Sequence, residues 1–164
     1  MNDATPTSEP AASAPADVHL EYLCSLDISF GTVPTVSTPT GTRMLFSVRS
    51  GTVEGPRLRG VVVPGTLDWV TVGSDGLARI DVRGIVQTHD GAAIQLTTTG
   101  RADLGEHTGR FLAGEEVGAD DAYIRTCPLF ETSDSRYAWP NRLVTVARCD
   151  LSISRIRYRI SALA

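Results

Sequence analysis

Between Leu20 and Phe30 the chain alternates with a period of two. Leu, Tyr, Cys, Leu, Ile and Phe hold the even positions, while Glu, Ser, Asp and Ser hold most of the odd ones. A period of two over such a run predicts a half-buried β-strand. The pattern lapses over residues 31–42, rich in Gly, Thr, Pro and Ser and expected to be a loop, and returns over 43–50 with Met44, Phe46 and Val48 on one face. Residues 51–60 read as a strand that bends sharply, with Arg57 and Arg59 on one side. Residues 61–63 form a short buried strand that ends at the turn signal Pro64-Gly65. Residues 68–72, 77–88 and 92–101 read as an antiparallel meander linked by Ser74-Asp75-Gly76 and His89-Asp90-Gly91. Strands resume at 122–131, 143–149 and 151–160. In the last of these Arg155, Arg157 and Arg159 alternate with Ile156, Tyr158 and Ile160. Residues 106–115 form the one predicted helix, with Phe111 and Leu112 as its apolar patch and Gly114 as its stop.

The link at 89–91 fixes a register. With Gly91 in the left-handed position of a three-residue loop, Thr88 pairs with Ala92. Ile80, Val82 and Val86 then share a face with Ile94 and Leu96. Arg79, Asp81, Arg83 and Gln87 share the other face with Gln95, Thr97 and Thr99. A two-residue loop would split the apolar sets between opposite faces, which register rules disfavour. Many short alternating strands, tight turns and one helix predict an all-β antiparallel barrel or sandwich. Closure into a barrel removes exposed edges.

Composition narrows the partners more than the chemistry. One domain suits 164 residues, and a hydrophobic share of 41% is enough for a core. The net charge of −4 and the lack of any basic tract argue against nucleic acid. All 15 cations are arginine, which rules out Schiff-base chemistry on lysine. Cys24, Cys127 and Cys149 are odd in number, widely spaced and set in apolar runs. Such cysteines read as buried hydrophobes in a reducing cytoplasm. Residues 1–17, rich in Ala, Pro, Ser and Thr, have neither the basic start nor the apolar core of a signal peptide. They are expected to be a disordered tail ahead of one barrel domain over 18–164. No stretch is long and apolar enough for a membrane helix.

The densest cluster of aromatic and hydrogen-bonding side chains falls at residues 123–142. There the chain reads Tyr-x-Arg-Thr-x-Pro-x-Phe-Glu-Thr and then Arg-Tyr-Ala-Trp-x-Asn-Arg. These runs resemble the signature of the DUF3237 (UPF0311) family of bacterial and fungal proteins. Gly55-Pro56-Arg57-Leu58-Arg59-Gly60, Pro64-Gly65, Asp68-Trp69, Asp75-Gly76 and Asp90-Gly91-Ala92 resemble the same family in the same order. The resemblance implies a single closed barrel, calycin- or allene-oxide-cyclase-like in shape. A small barrel can enclose one ligand-sized cavity.

Candidate chemistry follows from the polar strand face and the signature. Asp81 lies between Arg79 and Arg83. If that face points outward, it is a solvated ion pair; if inward, it is a buried acid or base whose pKa arginine lowers and desolvation raises. The resemblance favours the inward reading, because the position falls in the family's motif. The apolar face would then need cover, from the helix or from a second copy in a homodimer. On this reading Asp81, Tyr137 and Arg83 are the catalytic candidates. Trp69, Arg125, Glu131, Trp139 and Asn141 would hold a ligand, the tryptophans by stacking at a barrel mouth. Each of these also has a plain structural reading as core, ion pair or turn closure.

His19, His89 and His107 are scattered, so metal-ligand spacing is absent. There is no Gly-x-Ser-x-Gly elbow and no strand–Gly-rich turn–helix unit for a dinucleotide. The expectation is therefore a small-molecule enzyme with no cofactor and no metal. It would act by proton transfer, as a cyclase, isomerase or hydro-lyase, on an aromatic or polyketide-like substrate. The alternative is a non-catalytic barrel that binds a small organic ligand. Neither nucleic acid nor membrane is expected as a partner.

Overall fold

The computed structural model describes residues 17–164. The tail expected over 1–17 lies, but for Asp17, outside the described residues. Strands follow in the order β1 (Leu20–Phe30), β2 (Thr35–Thr38), β3 (Gly41–Glu54), β4 (Gly60–Val62) and β5 (Leu67–Val72). They continue with β6 (Ala78–Thr88), β7 (Ala93–Asp103), β8 (Tyr123–Glu131), β9 (Thr145–Ser152) and β10 (Arg155–Leu163). A five-residue helix, α1 (Thr108–Leu112), sits between β7 and β8 behind one 3₁₀ turn.

β1 and β2 lie end to end along β3, and β4 and β5 lie end to end between β3 and β6. The strands therefore form eight staves of one antiparallel barrel. The order is a simple meander. It closes where β1 pairs with β10 on one side and with β3 on the other. No helix among the described residues is long and apolar enough to cross a membrane.

The β6–β7 link has the geometry its sequence predicts. Gly91 sits at φ 90°, and the Thr88 N–H donates to the Ala92 carbonyl at 2.9 Å. Val86 then pairs with Ile94 and Gly84 with Leu96. Ile80, Val82, Val86, Ile94 and Leu96 are all buried. This face fills the barrel, so Arg79, Asp81 and Arg83 point outward. The inward reading of Asp81 is thereby corrected. Aliphatic side chains gain more from leaving water than a row of charges can recover by pairing inside.

Other departures have local causes. In β1 the register slips between Tyr22 and Cys24, and Leu23 is the extra residue of a β-bulge. Leu20 and Tyr22 consequently face out, while Leu23, Cys24, Leu26, Ile28 and Phe30 are buried. The even-position alternation therefore breaks at Leu23. The loop expected over 31–42 contains β2, whose threonines and Val36 pair with β3. The break between the last two strands falls at Ile153-Ser154 instead of at residue 150. The helix is shorter than the predicted 106–115, yet Gly114, at φ 85°, ends it as expected.

Packing differs between the two ends of the barrel. Towards the β6–β7 hairpin the interior is filled by Leu58, Val62, Val86, Ile94 and Phe130. Towards the β5–β6 turn it is hollow, and α1 lies across the opening with Phe111 buried and Leu112 exposed.

Candidate active site

The hollow end encloses a cavity of about 300 Å³, at the lower bound for small-ligand pockets. Phe30, Met44, Phe46, Val70, Ile80 and Ile156 line its depth. Ala78, Ala102, Leu104, Thr108, Phe111 and Leu112 surround its upper part. The two small side chains, Ala78 and Ala102, leave space where larger residues would meet across the barrel. The wall contains a single titratable side chain, Asp68.

Asp68 is inside because of phase. In β5 it alternates with Val70 and Val72, opposite Phe46 of β3 and Val82 of β6. It is 6% exposed, and its Oδ1 accepts no hydrogen bond from the described residues. Burial pushes its pKa up to about 7. The Asp81 backbone amide works against that shift, and the Asp81 charge adds to it. Deeper in the barrel, Tyr158 of β10 is buried beside the same carboxyl. Its phenol is pushed well above its ordinary value, first by burial and then by the Asp68 charge. Cys149 is pushed up to about 12, mainly by burial, and is held against the Thr126 hydroxyl. A thiol in that state is not a nucleophile. An acid buried with one oxygen unpartnered costs stability and returns no packing, which marks Asp68 as a candidate functional group.

None of the residues selected from the sequence lines this cavity. Asp81 and Arg83 pair with each other at 3.3 Å on the outer face, each more than half exposed. Trp69 stands beside Asp81 across the β5–β6 pairing, 49% exposed. Arg125 is also external. It donates to the carbonyls of Ala119 and Ile124 and stacks over Tyr123 at 5.3 Å. Glu131 ends β8, exposed.

Tyr137, Trp139 and Asn141 do come together, at the filled end of the barrel. Trp139 lies under the Arg57 guanidinium at 3.9 Å. Asn141 closes a turn by accepting from the Thr132 N–H at 3.0 Å and donating to its carbonyl at 2.7 Å. Tyr137 donates to Asp90 Oδ1 at 2.9 Å. Asp90 also takes the Thr88 hydroxyl at 2.6 Å and Arg136 at 2.9 Å. These bonds, that of Thr88 first, hold the Asp90 carboxyl below its ordinary range. The signature thus latches the 132–142 segment onto the β6–β7 hairpin. Tyr137→Phe is expected to lower the thermal unfolding midpoint by roughly 2–4 °C, the share of one hydrogen bond in a chain of this size. Calorimetry checks this, and ligand uptake by the cavity should not change.

Asp68 had a signal in the sequence. It keeps phase with Val70 and Val72, while its partner in the Asp68-Trp69 pair keeps phase with Leu67 and Thr71. The aromatic side chain drew attention to the wrong face. Among the described residues no group of three or more His, Cys, Asp or Glu side chains is placed to hold a metal ion.

The family model described as protein of unknown function (DUF3237) matches residues 18–163. A UPF0311 protein of Clostridium acetobutylicum is 36% identical over 100 residues, which make up 60% of this chain and 63% of that one. This chain thus spans less than two-thirds of that relative's length. A hydroalkoxylation enzyme of Penicillium herquei is 28% identical over 132 residues, 80% of this chain and 74% of the enzyme. The crystal structure of a beta-barrel like protein from Acinetobacter baumannii is similar with a TM-score of 0.77 at 30% identity. The likeness covers 93% of this chain and all of that one.

Proposed function

The chain belongs to the DUF3237 family, and from that premise we propose that it is an enzyme adding a hydroxyl O–H across a carbon–carbon double bond within one small, uncharged, largely apolar molecule. The observation that carries this reading is the Asp68 carboxyl, unpartnered at Oδ1, in the wall of a cavity otherwise lined by apolar side chains and the two threonines Thr42 and Thr108. The hydroalkoxylation enzyme among its relatives supports the reaction class.

Such an addition is redox-neutral and needs one proton carrier. The protonated carboxyl of Asp68 gives its proton to one alkene carbon, and the π pair becomes the new C–H bond. The substrate's own hydroxyl oxygen attacks the electron-poor carbon and forms the C–O bond. The proton lost from that oxygen returns to the carboxylate. Product and substrate are isomers, and Asp68 ends as it began. A pKa near 7 suits a group that must both give and take a proton at neutral pH. The rings of Phe30 and Phe46, with centroids 5.0 Å apart, flank the same space and favour positive charge as it develops. With no cation in the wall, substrates bearing carboxylate or phosphate are disfavoured.

The test is incubation with a panel of phenols and alcohols that carry an alkene within reach of the hydroxyl. Isomeric cyclic ethers would be sought by chiral chromatography with mass detection. Enantiomerically enriched ether from at least one panel member is the expected result. Tight binding of panel members without any isomerisation would instead favour a ligand-binding barrel, the reading supported by the cavity's single titratable group.

A further inference from the structure

Below Asp68, deeper in the barrel, lies a second void of about 10 Å³. Its wall brings together Asp68, Tyr158 and Thr98 among apolar neighbours that include Leu26, Val82 and Leu96. Asp68, Tyr158 and Thr98 are only 6%, 4% and 3% exposed. A void of about 10–15 Å³ is what one water requires, and a buried water needs two to four polar partners. The only other hydroxyl in the wall, Thr66, is already given to the Val63 carbonyl at 2.9 Å.

The titratable groups acting on Asp68 or felt by it are Asp81 from β6, Tyr158 from β10 and Cys149 from β9. None is a cation. A hydrogen bond to the ionised carboxylate from this side must therefore come from a neutral donor.

We propose that this void is a binding site for a single water that donates to the Asp68 carboxylate and is held in place by the hydroxyls of Tyr158 and Thr98. Tyr158 and Thr98 are then positioning residues. Through the water they fix the rotation of the carboxyl, so that it presents to the cavity. The water site stands on geometry alone, and only its role in turnover rests on the proton-transfer reading above.

The decisive measurement is the Asp68 titration by carboxyl-carbon NMR in the wild type, Tyr158→Phe, Thr98→Val and the double variant. Each substitution deletes a hydroxyl at nearly constant shape. Loss of a water that donates to the ionised form should raise the Asp68 pKa by about one pH unit in each single variant. Because both hydroxyls act through one water, the double variant should rise no further than the larger single rise. Titrations that do not move, or shifts that add, would overturn the proposal. A high-resolution crystal structure gives the second arm, with one ordered water bonded to Asp68, Tyr158 and Thr98 as the expected result. A collapsed or dry void there would refute the site even if Tyr158→Phe fails to fold. No arm reads turnover, so an inactive panel with an intact water sinks the enzyme reading and leaves this one standing.

Discussion

Asp68→Asn should lower turnover of an accepted substrate by roughly 100- to 10,000-fold, the usual range for loss of a general acid–base group. The amide keeps the shape of the carboxyl and its place between Phe46 and Val82. It can neither release nor recover the proton. Binding of substrate should survive within a few-fold, because the remainder of the wall, apolar but for Thr42 and Thr108, is unaltered. The split between a collapsed kcat and a nearly constant KM therefore identifies a group whose contribution arises in the transition state. The wild-type pH profile gives the same residue a second signature. If the protonated carboxyl starts the reaction, kcat/KM should be level below about pH 7 and fall about tenfold per unit above it. Asp81→Asn is the matching control. Its carboxylate is exposed and paired with Arg83, so its loss should leave turnover intact and move the profile only slightly, towards lower pH, because the Asp81 charge is the smallest of the causes acting on the Asp68 carboxyl. An Asp81 variant that loses activity while Asp68→Asn keeps it would end the proposal.

The second large effect concerns stability. In the unfolded chain the Asp68 carboxyl ionises near about pH 3.9; in the barrel, burial pushes it up to about 7. Between those values the folded state holds a proton that the unfolded state has released, so stability falls as pH rises. The fall begins near pH 4 and is complete a little above 7, where both states are ionised. About three pH units correspond to on the order of 4 kcal/mol. Asp68→Asn removes this dependence. Wild type and variant should have similar urea midpoints near pH 4, and the variant should be the more stable at pH 8. If the difference between them is flat from pH 4 to 8, the carboxyl is not buried as described. An active site that weakens the fold at its own working pH is a familiar cost of function.

The barrel was legible because sheet physics is local. Period-two runs, Gly91 and the Pro64-Gly65 turn each act over a few residues, and together they define strands and one hairpin register. Even the apolar set Ile80, Val82, Val86, Ile94 and Leu96 was grouped correctly from that register. The bulge at Leu23 was not legible. In the sequence Leu23 is one apolar residue at an odd position, and only the pairing of Tyr22 with Ser161 and of Cys24 with Ile160 shows that it is an extra residue.

The site was harder to read, for a related reason. A strand shows which residues share a face but not which face is enclosed. Arg79, Asp81 and Arg83 made a conspicuous polar row, and the tertiary structure turned that row to solvent, since closure buries the aliphatic row. With that choice the reason offered for a homodimer, an outward apolar face in need of cover, loses its premise. The signature residues Tyr137, Trp139 and Asn141 were noticed for their chemistry, and their hydrogen bonds and stacking secure the filled end of the barrel.

By itself, then, the sequence determined the strands other than β2, the hairpin register, the helix stop at Gly114 and the likeness to a family, all matters of neighbouring residues. Only the tertiary structure decided that Asp68 and Tyr158, 90 positions apart in the chain, meet inside the barrel below a cavity roofed by Phe111. Which face closes inward, and how much space is left there, depends on the summed volume of side chains from eight staves. No local pattern carries that sum.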